Sequence, residues 1–113
     1  MPTDTATVFD IVNACARIER YVSEHTADSF RTDPTTIDAV LYRLTVIGEA
    51  VRRLCAEFRA KHADLPWRDI GSLRNRMVHE YDQIDLELIW AIVSREVPEL
   101  KRHLVPLVPE GSE

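Results

Sequence analysis

Residues 70–82 read Ile-Gly-Ser-Leu-Arg-Asn-Arg-Met-Val-His-Glu-Tyr-Asp. At about 100° per residue on an ideal helix, Ile70, Leu73, Met77 and Tyr81 gather on one sector, and Arg74, Asn75, Val78 and His79 fall on an adjoining arc. The spacing predicts a helix over residues 69–81 with one apolar side and an arc carrying a guanidinium, an amide and an imidazole. Arg76 and Glu80, four apart on the opposite side, are placed to pair toward solvent.

Those groups suit chemistry on a phosphate. Arg74 offers a fixed fork of donors that matches phosphate oxygens and keeps its charge. His79 can give or take a proton near neutral pH. Asn75, one turn before His79, can orient the ring or a substrate oxygen. An ordinary surface arginine beside a half-buried histidine satisfies the same spacing.

Working outward, apolar residues recur at three and four throughout. Val8, Ile11, Val12, Cys15, Ile18 and Val22 predict a first helix over residues 5–24, with Thr3 or Asp4 as its cap. Asp33-Pro34 is a helix start, a capping residue followed by proline in the first turn. Ile37, Val40, Leu44, Ile47, Val51, Leu54, Cys55 and Phe58 then extend one helix to about residue 60. Gly48 interrupts it at some cost and can admit another helix, in this chain or in a second subunit. Residues 62–67 read as a loop with Trp67 plugging the core. Asp69 is expected to cap the motif helix, and Asp85 the last one, which carries Leu86, Ile89, Trp90, Ile92, Val93 and Val97. Pro98 predicts a kink or break there. No strand survives the periodicity test. The expectation is an all-α, up-and-down bundle of four to five helices, one domain over residues 1–104 with a flexible tail over 105–113.

The net charge of −5 is unevenly spread. Residues 1–42 carry three arginines against seven acids, residues 43–79 eight basic residues against four acids, and residues 80–113 three against eight. An acidic chain whose basic third holds the Arg/His motif fits a local phosphate site better than a general nucleic-acid coat. Cys15 and Cys55 fall on apolar faces and read as free buried thiols. His25, His62, His79 and His103 lack the close ligand spacing of a zinc site, so no metal is expected, and no cofactor. No apolar run is long enough for a membrane span. Met-Pro-Thr-Asp-Thr lacks the character of a signal peptide, so a cytoplasmic address is expected.

Arg74-Asn75-x-x-x-His79-x-Tyr81 resembles the signature of the HEPN superfamily. Its Arg-x4-His-x-Tyr form is similar to the HepT-like branch, the toxin halves of HEPN–nucleotidyltransferase (MNT) toxin–antitoxin pairs. Ile47-Gly48-Glu49-Ala50-Val51, Leu65-Pro66-Trp67-Arg68, Asp85-Leu86 and Trp90 stand where such chains carry similar residues. The resemblance runs from about residue 8 to residue 104. It implies a helical bundle, an endoribonuclease, a homodimer whose motifs meet at the interface, and a cognate nucleotidyltransferase antitoxin. It also implies that Tyr81 is the residue the antitoxin modifies with AMP, although its helical phase equally suits a core-edge tyrosine. Glu49, a plain helix former by composition, becomes by resemblance a second-tier cleft residue, with Arg76 beside it.

RNA carries its own nucleophile, the 2′-hydroxyl, which attacks the adjacent phosphate once its proton leaves and the developing charge is held. His79 for proton transfer, Arg74 for charge and Asn75 for positioning supply those parts without a metal. A single histidine cannot easily serve both sides of one phosphorus, which a two-fold dimer remedies. A non-catalytic nucleotide- or RNA-binding module, and a structural partner subunit of a nucleotidyltransferase, are rivals that share this fold.

Overall fold

Asp33 and Pro34 open the helix on which the others pack. The Asp33 carboxylate accepts from the Thr36 amide at 3.2 Å. In the computed structural model, which describes residues 3–77 and 83–108, this helix is α3, Pro34–Arg53. It follows α1 (Asp4–Val22) and the short α2 (Ala27–Arg31). After it come α4 (Ala56–Lys61), α5 (Trp67–Gly71), α6 (Leu73–Met77), α7 (Leu86–Ala91) and α8 (Val97–Leu104). The fold is an all-α bundle, as the periodicity predicts. Thr3 caps α1 by accepting from Ala6 N at 3.1 Å, and Asp85 caps α7 by accepting from Leu88 N at 3.0 Å.

The core lies between α1 and α3, the most extensively packed pair. Val8, Ile11, Cys15 and Ile18 from one meet Val40, Leu44, Ile47 and Val51 from the other, all buried. α8 covers α1 from a second side, while α5 and α6 lie on α3. Trp67 plugs the core as expected, its indole N–H donating to the His62 and Arg59 carbonyls at 2.9 and 3.2 Å.

Several expectations are corrected. The helix expected to run to residue 60 ends at Arg53. Leu54 turns extended and Cys55 caps α4, its sulfur accepting from Phe58 N at 3.4 Å. Asp4, at the start of α1, fixes this break by accepting from the Cys55 amide at 3.1 Å and its thiol at 2.9 Å. Cys55 is therefore exposed, whereas Cys15 is buried as expected. The apolar period crosses the break because Leu54 and Phe58 both face inward from differently directed segments.

The motif helix is likewise two helices. Ser72 separates α5 from α6, its amide donating to the Arg68 and Asp69 carbonyls at 3.1 and 3.3 Å. Asp69 sits in the first turn of α5, which starts at Pro66 without a side-chain cap.

The last helical run continues through Pro98 without a break. One π-helical turn, Ile92–Glu96, joins α7 to α8 just ahead of the proline. The wider turn relieves the clash and missing donor that proline brings to a helix. The Ser94 hydroxyl donates to the Trp90 carbonyl at 2.6 Å within it. Finally, the tail expected from Val105 begins with a 3-10 turn, Val105–Leu107, that touches α1, and Leu107 and Val108 pack on the core.

Candidate functional site

Gly48 explains where the motif sits. A Cβ on Gly48 would lie 3.3 Å from the Ile70 carbonyl oxygen, 3.7 Å from that of Gly71 and 3.8 Å from Leu73 Cβ. The close approach that Gly48 permits is thus to the α5–α6 junction of the same chain. Arg52, one turn further along α3, donates Nε to the Gly71 carbonyl at 3.0 Å. Ile70, Leu73 and Met77 are buried beneath the motif.

This anchoring leaves Arg74 and Asn75 exposed on α6. Neither side chain makes a hydrogen bond or ion pair with another described residue. Glu49, adjacent to Gly48 on α3, is exposed as well. Arg76 does something else. Its guanidinium forks onto Glu96 of the π turn, Nη1 to Oε1 at 3.0 Å and Nη2 to Oε2 at 2.9 Å. The hydrogen bonds to Glu96 hold the Arg76 pKa above its ordinary value. This tie to a segment twenty residues away lets Arg76 brace α6, while Glu80, the partner expected for it, lies outside the described residues. His79, Glu80 and Tyr81 lie outside the described residues. Asp85 N donates to the Met77 carbonyl at 3.1 Å, bringing the chain beyond the motif back against the end of α6.

A cavity of about 140 Å³ lies on the inner side of the motif, walled by Ile47, Ile70, Leu73, Ile92 and Leu100. Its charged walls, Asp64, Glu96 and Glu99, are acidic, so it repels a phosphate. The outer, arginine-bearing side of α6 is the face that suits one. No group of three or more metal-ligating side chains occurs among the described residues. No helix among them is long and apolar enough to cross a membrane.

A short helix carrying exposed Arg74 and Asn75 thus packs at its start against Gly48 of a long one. The family described as ribonuclease HepT-like matches residues 11–107. The chain belongs to the HepT-like family. A Methanocaldococcus jannaschii protein, named as a gamma-glutamylcyclotransferase and candidate RNase, is 34% identical over 100 residues, covering 88% of this chain and 45% of that protein. The HepT-like chain therefore spans under half the length of that relative. A candidate RNase of Caldanaerobacter subterraneus subsp. tengcongensis is 34% identical over 94 residues, covering 83% of this chain and 84% of its own. A candidate ribonuclease HepT of Thermococcus cleftensis is 33% identical over 92 residues, covering 81% and 84%. No solved structure matches the chain.

Two supports of this HepT-like site escape the sequence reading. Glu96 stands twenty residues from Arg76, and Arg52 nineteen from Gly71, with no local pattern linking either pair. Tight packing at Gly48 was the one visible signal.

Proposed function

We propose that the chain is a metal-independent endoribonuclease, the toxin of a HEPN–MNT pair, that cuts RNA by attack of the 2′-hydroxyl on the adjacent phosphate. The observation that carries this reading is the exposure of Arg74 and Asn75, unpaired among the described residues, on a helix whose third polar residue, Arg76, is spent as a brace. Arg74 holds the developing phosphate charge, Asn75 orients the substrate, and His79 transfers the proton. Preorganised charge of this kind commonly contributes about 10²–10³ in rate.

The reading includes a homodimer in which two motifs share one cleft, because acid and base work on opposite sides of the phosphorus. Ile84, 41% exposed just beyond the motif, supports a partner copy covering that end of α6. Glu49, exposed beside Gly48, borders the cleft. The cognate nucleotidyltransferase modifies Tyr81 with AMP, whose phosphate neutralises Arg74 and fills its site.

The test is RNA cleavage in the presence of a metal chelator. Wild type is expected to cut, while His79→Ala and Arg74→Ala lose at least a hundredfold. Equal RNA stability with wild type and both variants overturns the nuclease assignment in favour of a binding module. Mass spectrometry of the chain co-expressed with its partner is expected to find AMP on Tyr81; full inhibition with Tyr81 unmodified removes that part.

A further inference from the structure

The face formed by α1 and the first half of α3 carries exposed groups that neither the core nor the motif uses. Tyr42 is 61% exposed, the most exposed large apolar side chain among the described residues. The Arg43 guanidinium lies 5.0 Å from the centroid of the Tyr42 ring. Arg43 also donates Nε to the Tyr21 hydroxyl across the helix pair, at 3.3 Å. This hydrogen bond, with a further contribution from Arg17, holds the Tyr21 phenol below its usual pKa range. Arg17, one turn before Tyr21 on α1, brings a second guanidinium to the same side of the phenol. No carboxylate neutralises either of them among the described residues, and Glu19, two residues from Arg17, is taken by Lys101 at 2.7 Å.

We propose that Tyr42 and Arg43 of α3, with Arg17 and Tyr21 of α1, form a platform for single-stranded RNA distinct from the Arg74 motif. Tyr42 stacks a base on its free ring face, and Arg17 and Arg43 take a neighbouring phosphate. The proposal rests on the reading of the chain as one that acts on RNA. The chemistry favours that occupant. An aromatic ring already backed by a guanidinium offers one open face to an unpaired base, whatever its identity. Bases inside a duplex cannot reach it. The Arg43 guanidinium, aimed at a phenol oxygen, is also set to receive a phosphate oxygen, and exposed Arg17 adds charge beside it. Exposed Arg20 extends the positive edge, whereas exposed Asp38, one turn before Tyr42, closes it off. A nuclease whose cleft holds one phosphodiester gains grip on a longer strand from such a second contact.

The test is anisotropy of a fluorescent 2′-O-methyl oligouridylate, which binds but lacks the nucleophile, with the full chain at several salt concentrations. Tyr42→Ala is expected to weaken binding roughly five- to a hundredfold. Arg17→Gln is expected to lower the slope of log affinity against log salt by about 0.7, one phosphate contact on a single strand. Asp38→Asn is expected to tighten binding about twofold or more by removing repulsion. Cleavage of a dinucleotide is expected to be unchanged in Tyr42→Ala while cleavage of a long RNA falls. If wild type cleaves neither, the nuclease reading fails and the binding comparison still decides the platform. Unchanged affinity in both Tyr42→Ala and Arg17→Gln overturns the proposal. So does loss of binding in step with conversion of a dimer to monomer by light scattering, which would assign this face to a second copy of the chain.

Discussion

Replacing Gly48 tests whether close packing of α3 on the motif sets its position. Alanine gains about 1 kcal/mol over glycine inside a helix. Against that, its methyl would sit 3.3 Å from the Ile70 carbonyl oxygen. The atom it meets belongs to backbone held between buried Trp67, Ile70 and Leu73, so it cannot swing aside as a side chain would. The α5–α6 junction must move by a few tenths of an ångström. Overpacking of this kind costs about 1–3 kcal/mol. Gly48→Ala should therefore be destabilising by about 1 kcal/mol. Gly48→Val, larger and β-branched, should lose about 3 kcal/mol. Urea unfolding at fixed protein concentration reads both, and the alanine variant should melt about 4 °C lower. RNA cleavage should fall further than the folded fraction, because the displaced segment carries Arg74. An alanine variant stabilised by the whole helix-propensity gain, with cleavage unchanged, would refute the close-approach argument.

Glu96→Gln removes the charge that Arg76 forks onto. With both side chains partly exposed, the stability loss should be about 1 kcal/mol, and cleavage should drop severalfold although Arg74 is untouched. Asp4 and Asp33 have carboxyls held below their ordinary values, Asp4 first by the Cys55 thiol and Asp33 first by the Thr36 hydroxyl. A depressed folded pKa gives stability present above the unfolded value, near about 4, and lost as pH falls through the lower folded one. Acid unfolding of Asp33→Asn should thus start from a lower stability at pH 6 and depend less on pH below about 4. Burial pushes the Cys15 thiol up to about 12, with Glu19 adding to it. At pH 8 a thiol reagent should therefore label Cys55 alone in the folded chain and both cysteines after denaturation; rapid labelling of both in the native state would contradict the burial of Cys15.

The sequence was most informative where structure is local. Thr3, Asp33 with Pro34, and Asp85 each cap the helix they precede, because a capping bond spans three residues. Apolar spacing also identified the buried faces of α1 and α3. It failed at the two helix breaks. Leu54 continues the apolar stripe while the backbone turns, and the groups that fix the turn come from Asp4, some fifty residues earlier. Ser72 sits mid-pattern in the motif, and no glycine or proline beyond Gly71 marks the change of direction. At the candidate site, exposure of Arg74 and Asn75 follows from their phase against Leu73 and Met77. The commitment of Arg76 does not, since its partner lies on another helix.

That last point bears on how the site works. A five-residue helix such as α6 is too short to hold itself together, because nucleating a turn costs more than one or two hydrogen bonds return. Its geometry must come from outside. Three restraints supply it: the Gly48 contact against the α5–α6 junction, the Arg52 bond to the Gly71 carbonyl, and the Arg76 fork on Glu96. Two of them come from α3 and the third from the π turn, so the motif is clamped from both sides. The widened turn takes on a role in this light. By absorbing Pro98 without breaking the rod, it keeps Glu96 in register with α6. Returning that segment to regular α-helix, for example by Pro98→Ala, should shift Glu96 from Arg76. The position of an exposed arginine would then depend on a proline two helices away.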